Sequence, residues 1–355
     1  MNSNDVVIAG SARTPMGGMM GSLSSVRSPD LGAISIKTAI ERSGLQPADI
    51  QEVIMGCVLP GGLGQAPARQ ASRASGIPDS SGCTTINKRC GSGMQAVIMA
   101  HDQIKAGTNN IMIAGGMESM TNAPYVLPKM RGGARIGHQQ VVDHMFLDGL
   151  EDAYDKGRLM GTFAEDCAES FQVTREAQEE YALKSLSNAL EAQKSGAFEG
   201  EIAAVTLQTR KGEVEIAEDE QPGNARPEKI PQLKPAFRKD GTVTPANSSS
   251  ISDGAAALVV ASAEAAEAQR LKVRAEIVGH ASHAQAPGLF TTAPVPAAQK
   301  LLEKIGWKKE DVDLWEVNEA FAVVPMAFMH EMGLSRDIVN VHGGACALGR
   351  ALIQH

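Results

Sequence analysis

Cys90 is the side chain in this sequence best placed for covalent chemistry. It stands where an expected strand, Thr84–Asn87, gives way to an expected helix, and Gly91, Ser92 and Gly93 follow it. The thiolate is the reactive form of cysteine. Unsatisfied N–H groups at a helix N-terminus stabilise that anion and lower the thiol pKa. The glycines let a substrate carbonyl approach the backbone, whose N–H then stabilises a developing oxyanion. Free cysteine is also among the most buried residue types, so the same local pattern fits an inert thiol in a tight turn.

Other chemistries fail on their own residues. Cys57, Cys83, Cys90, Cys167 and Cys346 make five cysteines, an odd number and no disulfide framework. There is no CxxC and no Cys/His cluster with zinc-site spacing, so no metal centre is expected. Gly62-Leu-Gly64-Gln-Ala-Pro67 carries proline where a dinucleotide fingerprint needs its third glycine. Gly344 to Gly349 lacks the Lys-Ser/Thr ending of a phosphate loop, His330-Glu331 lacks a second histidine at zinc-protease spacing, and no GxSxG elbow occurs.

The elements that must position Cys90 read as α/β with a largely parallel sheet. Strands are expected at Val6–Gly10, Glu52–Val58, Thr84–Asn87 and Asn110–Gly115, with helices at Asp30–Gly44, Ala66–Gly76 and Ser92–Gly107 between them. From Met117 to about Thr244, Gly, Pro and charged residues thicken, and one clear helix spans Thr174–Gly196. So long an excursion is expected to be an inserted subdomain. The α/β texture then resumes, with strands at Ala256–Ser262, Arg274–His283, Val312–Val317 and Ile338–Val341 and helices at Pro296–Gly306 and Ala320–Met332. His342-Gly-Gly-Ala-Cys-Ala-Leu-Gly349 repeats the glycine-rich strand-to-helix turn at Cys90, so the two halves look like copies of one plan, the second unfinished.

Composition narrows the class. The formal charge is −8, apolar residues make up 43% and charged residues 21%. These values fit a globular protein and argue against bulk nucleic-acid binding. The apolar stretch Ala255–Ala263 is far short of a membrane span of about 20 residues, and Met1–Asp5 has no signal-peptide pattern. A soluble, cytoplasmic protein is expected, with no membrane partner. Arg226, Lys229, Lys234, Arg238 and Lys239 gather between Asn224 and Asp240, as a solvated loop or as a site for an anionic ligand.

Six segments, in order, resemble signatures of the thiolase family. They are Asn87-Lys-Arg-Cys90-Gly-Ser-Gly93, Gly115-Gly-Met-Glu-Ser-Met120, Met160-Gly-Thr-Phe-Ala-Glu165, Asn247-Ser-Ser-Ser-Ile-Ser-Asp-Gly254, Asn318-Glu-Ala-Phe321 and Asn340-Val-His-Gly-Gly-Ala-Cys-Ala-Leu-Gly349. The likeness runs from Val6 to Gly349. It implies the thiolase fold, with two topologically similar α/β halves in five layers. The halves would be residues 1–117 with 245–268 and residues 269–355, and residues 118–244 would form a loop domain that carries coenzyme A and oligomer contacts.

The resemblance also implies an acetyltransferase of the biosynthetic kind. Cys90 would take an acyl group from one acetyl-CoA, and a second acetyl-CoA, deprotonated at its α-carbon, would attack that acyl-enzyme. Asn318 would help hold an oxyanion-hole water. Ser249 would contact the pantetheine, with Leu150, Met160 and Phe321 walling its slot, and Arg226 would lie near the nucleotide. Coenzyme A would be a substrate rather than a tightly bound cofactor, and the protein would form dimers or tetramers.

Two departures qualify this. The family continues its last glycine turn into Gly-His-Pro, whose histidine activates the nucleophile. Here Arg350 stands at that position, before Ala-Leu-Ile-Gln-His355. Arginine accepts no proton at neutral pH, although its charge would favour a thiolate at Cys90. The family's second catalytic cysteine lies in a Cys-x-Gly turn beyond residue 355; Cys346 matches a non-catalytic position, and neither His342 nor His355 matches a family motif. The expectation is a shortened second half and a condensation that loses two contributions of typically about 10²–10⁴-fold each. The alternative function is a catalytically defective CoA-binding or assembly protein on the same fold. A decarboxylating condensing enzyme fits less well, because the signatures follow thiolases throughout.

Overall fold

A computed structural model describes residues 2–3 and 5–349. Arg350 and His355 therefore lie outside the described residues. Strands β1 (Val6–Arg13), β2 (Gly17–Gly18), β3 (Glu52–Gly56), β4 (Gly82–Ile86) and β5 (Ile111–Ser119) alternate with helices α1 (Ser28–Ser43), α2 (Pro67–Ala74) and α3 (Ser92–Lys105). Two short ladders follow, β6 (Tyr125–Val126) with β7 (Val142–Asp143) and β8 (Val205–Thr209) with β9 (Gly212–Ile216). Between and after them lie α4 (Met160–Ser170), α5 (Arg175–Lys194) and α6 (Glu220–Asn224). The chain then forms β10 (Ser252–Ser262), α7 (Ala263–Ala268), β11 (Ala275–Glu276), α8 (Pro294–Ile305), α9 (Val323–Met332) and α10 (Ala345–Leu348).

The main sheet runs β11-β1-β10-β5-β3-β4, with β2 paired to β10. β5, β3 and β4 are mutually parallel, whereas β10 is antiparallel to both β1 and β5. The expectation of a largely parallel sheet therefore holds for β1, β3, β4 and β5. It fails at β10, which enters from the inserted segment at the opposite end, and at β11.

Alternation within the strands decides the layers, because successive side chains point to opposite faces. Val53, Met55, Ile113 and Val259 pack with Leu31, Ile36 and Ile40 of α1. Ile54, Met112, Ala114 and Val260 pack on the other face with Ala96, Ala100 and Ile104 of α3. Each such aliphatic burial contributes about 1.5–3 kcal/mol. Gly115 is required where β5 meets β10, since a Cβ there would lie 2.1 Å from the Ala256 carbonyl oxygen.

The later part of the chain departs from its expected strands. Only Ala275–Glu276 of the Arg274–His283 segment joins a ladder, at the edge of the first sheet. Val312–Val317 and Ile338–Val341 form no strands; an isolated parallel bridge, Trp315 to Val339, links them. The amide of Asn340 donates to the Trp315 carbonyl at 2.9 Å, and its side-chain Oδ1 accepts from the Val317 amide at 2.7 Å. β-Branched residues favour extended backbone, but a ladder needs successive paired residues, and among the described residues the pairing stops at this one bridge. This region keeps its own small core of Val295, Val317, Phe328, Met332 and Val339. Among the described residues no helix is long and apolar enough to cross a membrane.

Candidate active site

The turn that presents Cys90 is held from several sides. β4 ends at Ile86, and the register Gly116–Gly56–Ile86 lines it up with β3 and β5. Asn87 Oδ1 accepts from the Arg89 amide at 2.9 Å, and Ser92 Oγ accepts from the Lys88 amide at 2.8 Å. Arg89 adopts a left-handed φ of 53°, a costly conformation for a non-glycine residue that these bonds sustain. Its guanidinium donates to the Asp148 carbonyl, tying the turn to the helical segment Met145–Leu150 that carries Leu150. Cys90 then directly precedes Gly91, the N-cap of α3. The first turn of α3 packs on β3 only because residue 56 is glycine, where a Cβ would lie 2.6 Å from Ser92 Cβ.

Half-buried Cys90 opens into a cavity of about 550 Å³. Leu150, Met160, Ser249 and Phe321 line it, so five of the seven residues singled out in the sequence meet there. Met160 is the first residue of α4. The Ser249 amide donates to the Ala320 carbonyl at 3.0 Å, and Ser248 bridges to Phe321. Phe321 is nearly buried, with its ring edge-on to Phe237 at 5.9 Å.

The other two residues sit elsewhere. Asn318, two residues before Ala320, does not line this cavity; its Oδ1 is buried and has no hydrogen-bond partner among the described residues. Arg226 lines a separate cavity of about 300 Å³ with Lys229 and Cys346, and the two cavities share Ser250. Of the remaining basic stretch, Arg238 is engaged by Asp166 and Glu169.

No sequence signal points to His283, which lines the Cys90 cavity along with Ala281 and Ser282. Its Nδ1 lies 2.9 Å from Lys300 Nζ and its Nε2 lies 3.1 Å from Gln285 Oε1. No motif contains it, because its segment reaches the site as irregular chain after β11. His342, by contrast, lies edge-on to Phe198 and does not line the cavity.

Behind the second glycine turn, the fully buried Glu319 gathers four donors. Tyr181 Oη, Ser185 Oγ and Asn340 Nδ2 reach it at 2.9, 2.8 and 2.9 Å, and the Cys346 amide at 3.0 Å. Burial, with Glu319 beside it, pushes the Cys346 thiol well above the ordinary range, which suits a structural cysteine.

Residues 6–264 match the thiolase N-terminal domain and residues 271–353 the thiolase C-terminal domain. Acetyl-CoA acetyltransferase 2 of Arabidopsis thaliana is 48% identical, over 99% of this chain and 88% of that protein. The acetyl-CoA acetyltransferase of Cupriavidus necator is 45% identical, over 98% and 89%. The crystal structure of Acat5 thiolase from Ascaris suum in complex with coenzyme A superposes with a TM-score of 0.93 at 44% identity, covering 98% of this chain and 89% of that one. On its fold and on these matches, the chain belongs to the thiolase family.

Proposed function

We propose that this chain is an acetyl-CoA C-acetyltransferase, with coenzyme A thioesters as its substrates. The observation that carries the reading is the convergence of Cys90, Leu150, Met160, Ser249 and Phe321 on one cavity. In the first half-reaction, Cys90 Sγ bonds to the acetyl carbon and the C–S bond to coenzyme A breaks. Coenzyme A leaves as a thiol, with the proton Cys90 gave up. In the second, another acetyl-CoA loses an α-proton and its carbanion attacks the acetyl carbon. Acetoacetyl-CoA forms, and Cys90 leaves as thiolate and is reprotonated.

Asn318 supports an oxyanion-hole role through its unpartnered buried Oδ1, an acceptor suited to a bound water. Ser249 and the apolar walls suit a pantetheine arm. Arg226 and Lys229, across Ser250 in the adjoining cavity, suit the phosphates of a ligand that extends past the first. The division into residues 1–117 with 245–268, 118–244 and 269–355 accompanies this reading. So does assembly into a dimer or tetramer, supported by Tyr125, Ile136 and Val141, apolar residues of the inserted segment that are 68%, 93% and 61% exposed.

Thiolysis of acetoacetyl-CoA, followed with intact-mass measurement of the acetylated protein, tests the reading. Turnover with an acetyl adduct on Cys90 supports it; folded protein that shows neither contradicts it.

A further inference from the structure

We propose that His101, Asp102 and His280 bind one divalent ion of the zinc class, joining the helix of the nucleophile to a wall of its cavity. Asp102 Oδ1 lies 3.0 Å from His101 Nδ1 and 2.8 Å from His280 Nε2. Donor atoms from the three side chains all lie within 4.8 Å of one another. Ligands of tetrahedral zinc, at bonds of about 2.0–2.1 Å, stand about 3.3 Å apart, so entry of an ion widens the two Asp102 distances by a few tenths of an ångström and draws the two histidine donors, at up to 4.8 Å, together by as much as about 1.5 Å. Two imidazoles and a carboxylate suit zinc, and cobalt in its place.

The protein frames this trio well. His101 is buried in α3, Asp102 is exposed beside it, and His280 is half-buried, its ring edge-on to His101 at 4.9 Å. Water can reach the Asp102 side and fill the fourth position. Without metal, each imidazole N–H donates to Asp102. On binding, each neutral ring exchanges that proton through solvent for one on its other nitrogen and offers the freed lone pair to the ion. Lys304, whose Nζ donates to the His280 carbonyl at 3.2 Å, opposes the ion's charge, and the Asp102 carboxylate offsets it.

Asp102 and His280 are 178 residues apart, so no motif spacing announces the site. Its position gives it a consequence. α3 begins beside Cys90, and His280 immediately precedes Ala281, Ser282 and His283 in the cavity wall. A bound ion would clip that wall to the helix.

The test is a Co²⁺ titration of the metal-stripped full chain, read by visible absorption and stoichiometry. One Co²⁺ per chain in a tetrahedral nitrogen/oxygen spectrum is expected, displaced by Zn²⁺, which raises the unfolding midpoint. His280→Gln and Asp102→Asn should each weaken Co²⁺ affinity about ten-fold or more. Asp102 is exposed, so its variant keeps the metal-free unfolding midpoint and remains informative if His280→Gln disturbs the fold. Three results would each overturn the site: no stoichiometric binding, a thiolate-to-cobalt charge-transfer band, or unchanged affinity in folded Asp102→Asn.

Discussion

The Ser249 amide donates to the Ala320 carbonyl at 3.0 Å, and through this bond the segment leading into β10 meets the segment leading into α9. Ser249 and Phe321, 72 residues apart in sequence, thereby share one wall of the Cys90 cavity. Much of what the site is expected to do rests on how such distant segments are pinned together.

Ser249→Ala should raise KM for acetyl-CoA by about three- to ten-fold while kcat changes little. One ligand hydrogen bond is worth about 0.5–1.5 kcal/mol, and the backbone bond to Ala320 survives the substitution. Steady-state thiolysis kinetics check the split; a fall in kcat at unchanged KM would argue against a binding role.

Gly56→Ala tests how closely α3 must approach the sheet. The added Cβ would lie 2.6 Å from Ser92 Cβ and 2.8 Å from the Ser92 carbonyl carbon, and backbone must shift to relieve it. Overpacking of this kind costs about 1–3 kcal/mol, so a lower urea midpoint is expected together with slower acylation of Cys90.

Glu319→Gln should destabilise the fold by about 2–4 kcal/mol, as measured by denaturant unfolding. The carboxylate accepts from Tyr181, Ser185, Asn340 and the Cys346 amide. An amide would turn a donor toward donors in a fully buried place.

Glu118 gives the protein a pH dependence. Burial pushes its carboxyl up from 4.5 to about 7, against the lowering effect of the Val58 and Leu59 amides that donate to it. The folded state then holds this proton over a range where the unfolded state has lost it. Stability contributed by this group is full below about pH 4.5 and falls as pH rises towards 7. Unfolding midpoints measured across that window should show the fall in the wild type and a flatter profile in Glu118→Gln.

The first sheet was legible because its strands are short apolar runs bounded by turn residues, and because Gly91, Ser92 and Gly93 mark a helix mouth beside Cys90. Ser249, Leu150, Met160 and Phe321 were legible only through family signatures, since nothing local sets them apart from ordinary core or turn residues. Val312–Val317 misled because extended propensity does not supply a pairing partner, and the run ends in one bridge from Trp315 to Val339. His283 and the His101–Asp102–His280 trio were invisible for a different reason: tertiary packing brings them to their places, and no spacing along the chain records it.

The central claim is that Cys90 takes an acyl group from coenzyme A, and intact-protein mass spectrometry after incubation with acetyl-CoA tests it most directly. The account predicts one acetyl group per chain, located on Cys90, discharged by added coenzyme A and absent in Cys90→Ala. Folded wild-type protein that gains no acetyl group, or that gains one equally in Cys90→Ala, would contradict it.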